Sequence, residues 1–536
     1  MRSRRRPGGA SCGSSIARLS PSQGRKRSAR RVLSSRPMPA STARSILASA
    51  ILISACSPPP AVPAASATDA PPAPAAAPSI TAAPIDPQAA SATATAAPQA
   101  PPTAPPLQPT TVWEVEPAAG TTHEVRSIMR LGDSIWAAGW YGDPKDGGAG
   151  KRSALPVRNG NYDPFLARIY TEGKIAWQDR LEGATAAGVA ASTEGKVLVA
   201  GEFVGEIPGA LVPKSPRLHA FVAKLGTASK KAVWTTGPNT MDIEHAWAVA
   251  PAPDGGAYLA SELHAVVRKT DEPSSKGYED VLVSRYDGQG KRLWRTPIGS
   301  ARSDWPFGLA ALPDGDVVVA GAVDAPGAYS DNAAVKSQGF VARLSADGSV
   351  RWEKRFGGAG VNFAGAVASD KNGRIFMTGV VTGEVRIGEH TYRAAGHHDV
   401  ILAAFEKSGE ISWVRRLAAT RSPRTDSRYY GARFVLLWGG GEPQYLPRFG
   451  NGLVPTSIAV APNGSMAVGG WFVDELTIGD QPYGAAQKES GFIAGLRADG
   501  SVQWVATPGD HVNAVLAEDD GVVAATGRTV VKLATR

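Results

Sequence analysis

Residues 340–352, FVARLSADGSVRW, read as a β-strand, a tight turn at Ala346-Asp347-Gly348 and a second strand ending in tryptophan. Versions of this hairpin recur along the chain, and a recurring supersecondary unit restricts the fold more than any composition does. Trp113, Trp177, Trp234, Trp294, Trp352, Trp413 and Trp504 mark the period, at spacings of 64, 57, 60, 58, 61 and 91 residues. Each interval also carries a short apolar strand ending in a small residue: IWAAG, VLVAG, AYLAS, VVVAG, IFMTG, MAVGG, VAATG. Five of those strands follow a turn such as Pro253-Asp254-Gly255 or Pro462-Asn463-Gly464, in which Asp-Gly or Asn-Gly is expected to supply positive φ. A third strand follows in each (FLARI, FVAKL, VLVSR, FVARL, VILAA, FIAGL, TVVKL), so seven units are counted.

With a small-residue strand ahead of the turn, such as 246–250, every unit has four strands and about 60 residues. The ends choose between an open array and a ring. The last unit stops at TVVKLA (529–534) without its tryptophan strand, and the first is preceded by an unpartnered TVWEVE (111–116). Pairing those two leaves no open sheet edge at the seam. The expected fold is therefore all-β, a seven-bladed β-propeller of four-stranded blades closed by an N-terminal strand. Its core would be Val, Ile, Leu and Ala on strand faces, with the tryptophans between blades. Within it, 357–380 (GGAGVNFAGAVASDKNGRIFMTGV) and 398–413 (HDVILAAFEKSGEISW) resemble the SBBP-type seven-bladed propeller repeats of bacterial secreted proteins. The resemblance extends from Val112 to the C-terminus and implies a fold, not an activity.

The chain has a formal charge of +9, yet eleven of its 57 basic residues lie in 1–37, and the other 46 face 48 acids. The body is nearly neutral, which argues against a nucleic-acid partner. Both cysteines, Cys12 and Cys56, precede the repeats, so no disulfide framework or thiolate metal site is available to the domain. From Arg44, RSILASAILISAC places one positive charge before a short apolar stretch, the pattern of a secretory signal peptide. Ile53-Ser54-Ala55-Cys56 resembles the bacterial lipobox, and that resemblance implies that Cys56 is lipidated and becomes the mature N-terminus. Met38 stands 18 residues before it, so 1–37 reads as a basic segment upstream of the true start, with 38–56 as the signal peptide. Ser57, not Asp, follows the cysteine, which by the same analogy favours the outer membrane or cell surface of a bacterial envelope. Residues 57–110 hold sixteen prolines and no aromatic, Lys or Arg, the composition of a disordered tether with a coil span of about 40 Å. The propeller would occupy 111–536.

Two places are candidates for function. Counting back 16 positions from the small residue ending the second strand meets His123, His245 and His511 in blades 1, 3 and 7. The preceding position holds Glu244, Asp304, Asn362 and Asp510 in blades 3, 4, 5 and 7. Imidazoles and carboxylates meeting at a channel mouth would bind a divalent metal or an anion. The same acids would equally cap a turn through their side chains. The second candidate is an insertion in blade 6, 418–453, where Arg428, Tyr429, Tyr430, Arg433, Phe434, Trp438 and Tyr445 have the composition of an interaction surface. His397-His398-Asp399 sits where other blades turn into their third strand and reads as a turn.

No GxSxG, HExxH, Walker A or strand–helix GxGxxG is present in the repeats. The turn-and-tryptophan pattern Asp347-Gly348 to Trp352 resembles, at shorter spacing, the tryptophan docking motif of quinoprotein dehydrogenase propellers. The reading is a lipid-anchored extracytoplasmic binding or scaffold module, monomeric, with a protein or glycan partner and no expected cofactor beyond the divalent metal open at the channel mouth. The alternative is a lyase- or quinoprotein-like enzyme using that mouth.

Overall fold

Each repeat folds as one antiparallel four-stranded sheet, and the sheets stand around a common axis. The computed structural model describes residues 108–534 apart from 118–121, 143–161, 181–187, 206–214, 228–231, 241–242, 265–275, 278, 326–335, 359, 396–397, 420–434, 437–443, 446–452 and 479–480. The first strands of the seven blades are Thr122–Leu131, Gly188–Ala191, Ile243–Pro251, Ser303–Ala311, Phe363–Ser369, Leu453–Val460 and Val512–Glu518. Each touches the next and the seventh touches the first, so they form the inner ring. All described secondary structure is β-strand and turn; no described helix is long and apolar enough to cross a membrane.

The seam closes as the repeat pattern predicts. In blade 7 the order from inside out is Val512–Glu518, Gly521–Thr526, Thr529–Ala534 and then the N-terminal strand Thr110–Val115. Val115 pairs with Val530 and Thr111 with Leu533, so a strand from the start of the domain completes the sheet at its end.

Burial explains the strand sequences. Second strands are sandwiched between blades, so Ala257–His264 is buried at all but its last residue and reads as a nearly continuous apolar run. Fourth strands are outermost, and Val350–Gly358 is mostly exposed or half-buried. Two outer edges are covered by neighbours. The hairpin Glu384–Ile387 and His390–Arg393 of blade 5 adds to blade 4 through Phe356–Ile387 pairing, and blade 6 pairs Ile478 with Ala418 of blade 5. Such covering protects edges that would otherwise invite another chain.

The turns refine the expectation about Asp-Gly. Only the glycine has positive φ, as at Gly255 (77°), Gly348 (90°) and Gly464 (87°). The preceding Asp or Asn instead accepts a bond from the backbone N–H two residues on, at 3.2 Å for Asp254, 3.0 Å for Asp347 and 2.8 Å for Asn463. That glycine has a second task. Trp294 of blade 3 lies against Gly348 of blade 4, where a Cβ would come within 2.7 Å of the indole. Trp113, Trp234, Trp352 and Trp413 meet Gly173, Gly290, Gly409 and Gly500 of the following blade in the same way. The Trp294 Nε1–H donates to Ala346 O at 2.8 Å, and Arg285 of the same blade donates to that carbonyl at 2.6 Å. One blade on, Lys407 O takes Trp352 at 2.9 Å and Arg343 at 2.6 Å; one blade back, Gly288 O takes Trp234 at 2.9 Å and Lys224 at 3.4 Å. These three joints thus combine an aromatic contact with two bonds to one carbonyl.

Candidate functional site

First strands begin, second strands end and third strands begin at the other mouth of the ring. In blade 3 this places four titratable side chains in adjoining register. His245 of the first strand pairs with Glu262 of the second (Ala257–His264), and His264 pairs with Glu279 of the third (Glu279–Tyr286). Glu262 and His264 are two residues apart, so they project from one face of their strand. His245, Glu262 and Glu279 are 1%, 2% and 3% exposed, a placement that costs several kcal/mol per charge unless partners offset it.

Partners are present. His264 Nδ1 lies 3.2 Å from Glu279 Oε1, Trp247 Nε1–H donates to Glu262 Oε2 at 3.4 Å, and Ser303 of blade 4 donates to Glu279 Oε2. One ligand atom each from Glu262, His264 and Glu279 lie within 4.8 Å of one another. His245 Nδ1 meets Glu202 Oε1 of blade 2 at 3.1 Å. His245 Nε2 is buried with no hydrogen-bond partner among the described residues.

The electrostatics follow from this crowding. Burial alone would push the His245 imidazole down, but the carboxylate of Glu202, then those of Glu262 and Glu279, raise it to about 9. Burial raises Glu262 to about 7, with Glu279 adding to the rise and His245 and His264 opposing it. Three carboxylates therefore share this pocket of the mouth with two imidazoles.

The residues singled out by counting are distributed differently. His245 joins the blade 3 group. His123 instead bonds Arg528 O at 2.8 Å across the seam and meets Phe165 edge-on at 6.2 Å. His511 packs edge-on against Trp471 of blade 6 at 5.6 Å, and Asp510 is exposed. The count of 16 crosses a β-bulge that sits at Arg126 in blade 1 and Trp247 in blade 3. The bulge is common to both, but blade 1 turns in two residues (132–133) and blade 3 in five (252–256), so His123 pairs two residues beyond Gly139, with Tyr141, whereas His245 pairs one residue beyond Ser261.

Three of the residues before these positions, Glu244, Asp304 and Asn362, are turn caps. Glu244 accepts from Thr240 N at 2.8 Å and meets His219 Nδ1 at 3.3 Å. Asp304 accepts from Ser300 N at 2.6 Å and from Asp324 N at 3.0 Å. In blade 5, Asn362 accepts from Thr382 N at 3.0 Å, the same 20-residue span. At the third-strand turn, Asp399 accepts from Ala395 N at 2.9 Å while His398 meets Thr382 Oγ1 at 2.8 Å.

Glu202, Glu262, His264 and Glu279 were not reached by counting. A signal existed: Gly201-Glu202 and Ser261-Glu262 place an acid directly after the small residue, where blades 4 and 5 have Ala322 and Val380. A carboxylate inside an otherwise apolar strand is the informative exception. Of the blade 6 insertion, Ala418–Ala419 and Leu453 belong to the flanking strands, and otherwise only Val435–Leu436 and Gln444–Tyr445 are described, as a two-stranded pair. Arg428, Tyr429, Tyr430, Arg433, Phe434 and Trp438 lie outside the described residues, as does Cys56.

No family model matches the chain. Over 166 residues, 29% of its length, it is 31% identical to the regulatory protein FlaEY of Caulobacter vibrioides. Over 164 residues, 26% of its length, it is 23% identical to the uncharacterized WD repeat-containing protein L264 of Acanthamoeba polyphaga mimivirus. These matches span 17% and 12% of the two relatives. Among solved structures, BamB from Moraxella catarrhalis is similar over 80% of this chain and 99% of its own, at 13% identity and a TM-score of 0.39.

Proposed function

We propose that this chain is a lipid-anchored, SBBP-like propeller of the bacterial envelope that serves as a binding or scaffold module. The observation that carries the reading is the division of labour within the ring. The turn face is occupied by blade-to-blade docking, while the connections between second and third strands, at the opposite mouth, run from two residues in blade 7 (527–528) to 19 in blade 1 (143–161). Repeat scaffolds bind through connections that vary between units. In this reading 1–37 precedes the true start, 38–56 is the signal peptide, and Cys56 with 57–110 forms the anchor and tether. The Arg- and aromatic-rich insertion 418–453 is then the surface that meets a protein or glycan. The near-neutral body supports a partner other than nucleic acid.

Expression of the full chain and its Cys56→Ser variant in a Gram-negative host, with fatty-acid labelling and membrane fractionation, tests the anchor. The expected result is a labelled protein in the membrane fraction and an unlabelled, released variant. An unlabelled wild-type chain would overturn it. Cross-linking in the envelope with and without 420–452, which spares the buried strand residues Ala418, Ala419 and Leu453, then tests the module: the deletion should remove specific cross-linked species while leaving the melting transition in place.

A further inference from the structure

We propose that Glu262, His264 and Glu279 of blade 3 form a binding site for a divalent transition-metal ion of the Mn²⁺–Zn²⁺ group. Their three donor atoms already lie within 4.8 Å of one another, on two hydrogen-bonded strands whose register holds them. Two carboxylates with one imidazole form a donor set for these borderline cations, whereas Mg²⁺ and Ca²⁺ prefer oxygen alone. Three protein ligands leave coordination positions open, as in sites that take up water or a ligand group rather than closed structural ones.

A second observation points the same way. His245 is buried opposite Glu262, its Nδ1 is held by Glu202, and its Nε2 has no partner among the described residues. A buried polar nitrogen left unpaired costs about 1–3 kcal/mol, which a metal-bound water or other ligand group at the open position would offset. Outer contacts also resemble those that orient metal ligands: Ser303 donates to Glu279 and Trp247 to Glu262. An ion-pair network alone would account for His264 with Glu279, but it leaves Glu262 as an extra buried carboxylate.

The test uses the untagged full chain, stripped with EDTA and titrated with Zn²⁺ or Mn²⁺ by calorimetry, with melts at each step. One equivalent of metal is expected, with a melt several degrees higher once it is bound. Glu262→Gln and Glu279→Gln should each weaken binding at least about tenfold. Without metal, Glu262→Gln should melt at or above the wild-type temperature, because it removes a buried carboxylate; that result separates lost ligation from misfolding. The absence of stoichiometric binding, or binding unchanged in both folded variants, would overturn the site.

Discussion

The two mouths of the ring are made from the same repeats and are built in opposite ways. On the turn face, five joints set an indole on a positive-φ glycine of the following blade, and three of them share one carbonyl between that indole and a basic side chain. At the other mouth only the cap acids recur, and the histidines and remaining acids differ from blade to blade. The contrast teaches that repetition in this chain marks the surfaces that blades present to each other. Departure from the repeat marks positions released from that duty, and the buried blade 3 cluster is such a departure.

Truncating a joint should have the largest effect. Trp294→Ala removes the indole from Gly348, the bond to Ala346 O and the contact with Tyr258, and is expected to cost about 3 kcal/mol in denaturant unfolding. A loss below about 1 kcal/mol would mean that the turn face does not clasp the ring.

A cap at the mouth should matter less and in a pH-dependent way. Burial, together with Asp280 and against the bonds from Ser300 and Asp324, raises Asp304 to about 7 from its ordinary 3.8. A carboxyl raised on folding contributes stability that is complete below pH 3.8 and is lost as pH rises through about 7. Asp304→Asn copies the Asn362 cap of blade 5, so it should match wild type below pH 3.8, gain on it steadily as pH rises, and exceed it by on the order of 1 kcal/mol or more at pH 8. A difference between the two proteins that stays constant from pH 5 to 8 would refute the assignment.

The smallest effect is expected at His511. His511→Ala gives up an edge contact with Trp471 and should cost less than about 1 kcal/mol. A loss approaching that of Trp294→Ala would show that this mouth also holds blades together, and would erase the contrast.

The seven units, the turn glycines and the closing strand were legible because each depends on local pattern: short apolar strands ending in a small residue, Gly after Asp or Asn, and an unpartnered strand at each end of the repeats. The tryptophans were legible as markers but not as joints, since Trp294 meets a glycine 54 residues away in another blade. At the mouth, counting reached His245 and grouped it with His123 and His511. Its actual neighbours, Glu202 and Glu262, come from two different blades. Glu262 itself was readable as an acid in an apolar strand, without any sign of what it would face.

The sequence by itself determined the strand and turn pattern, the number of blades and the way the ring closes, because these follow from backbone preferences within a few residues and from pairing two strands left over. Tertiary structure alone decided which side chains share a pocket. A one-residue bulge changes what stands opposite what, and blade-to-blade packing brings together groups that no spacing along the chain relates.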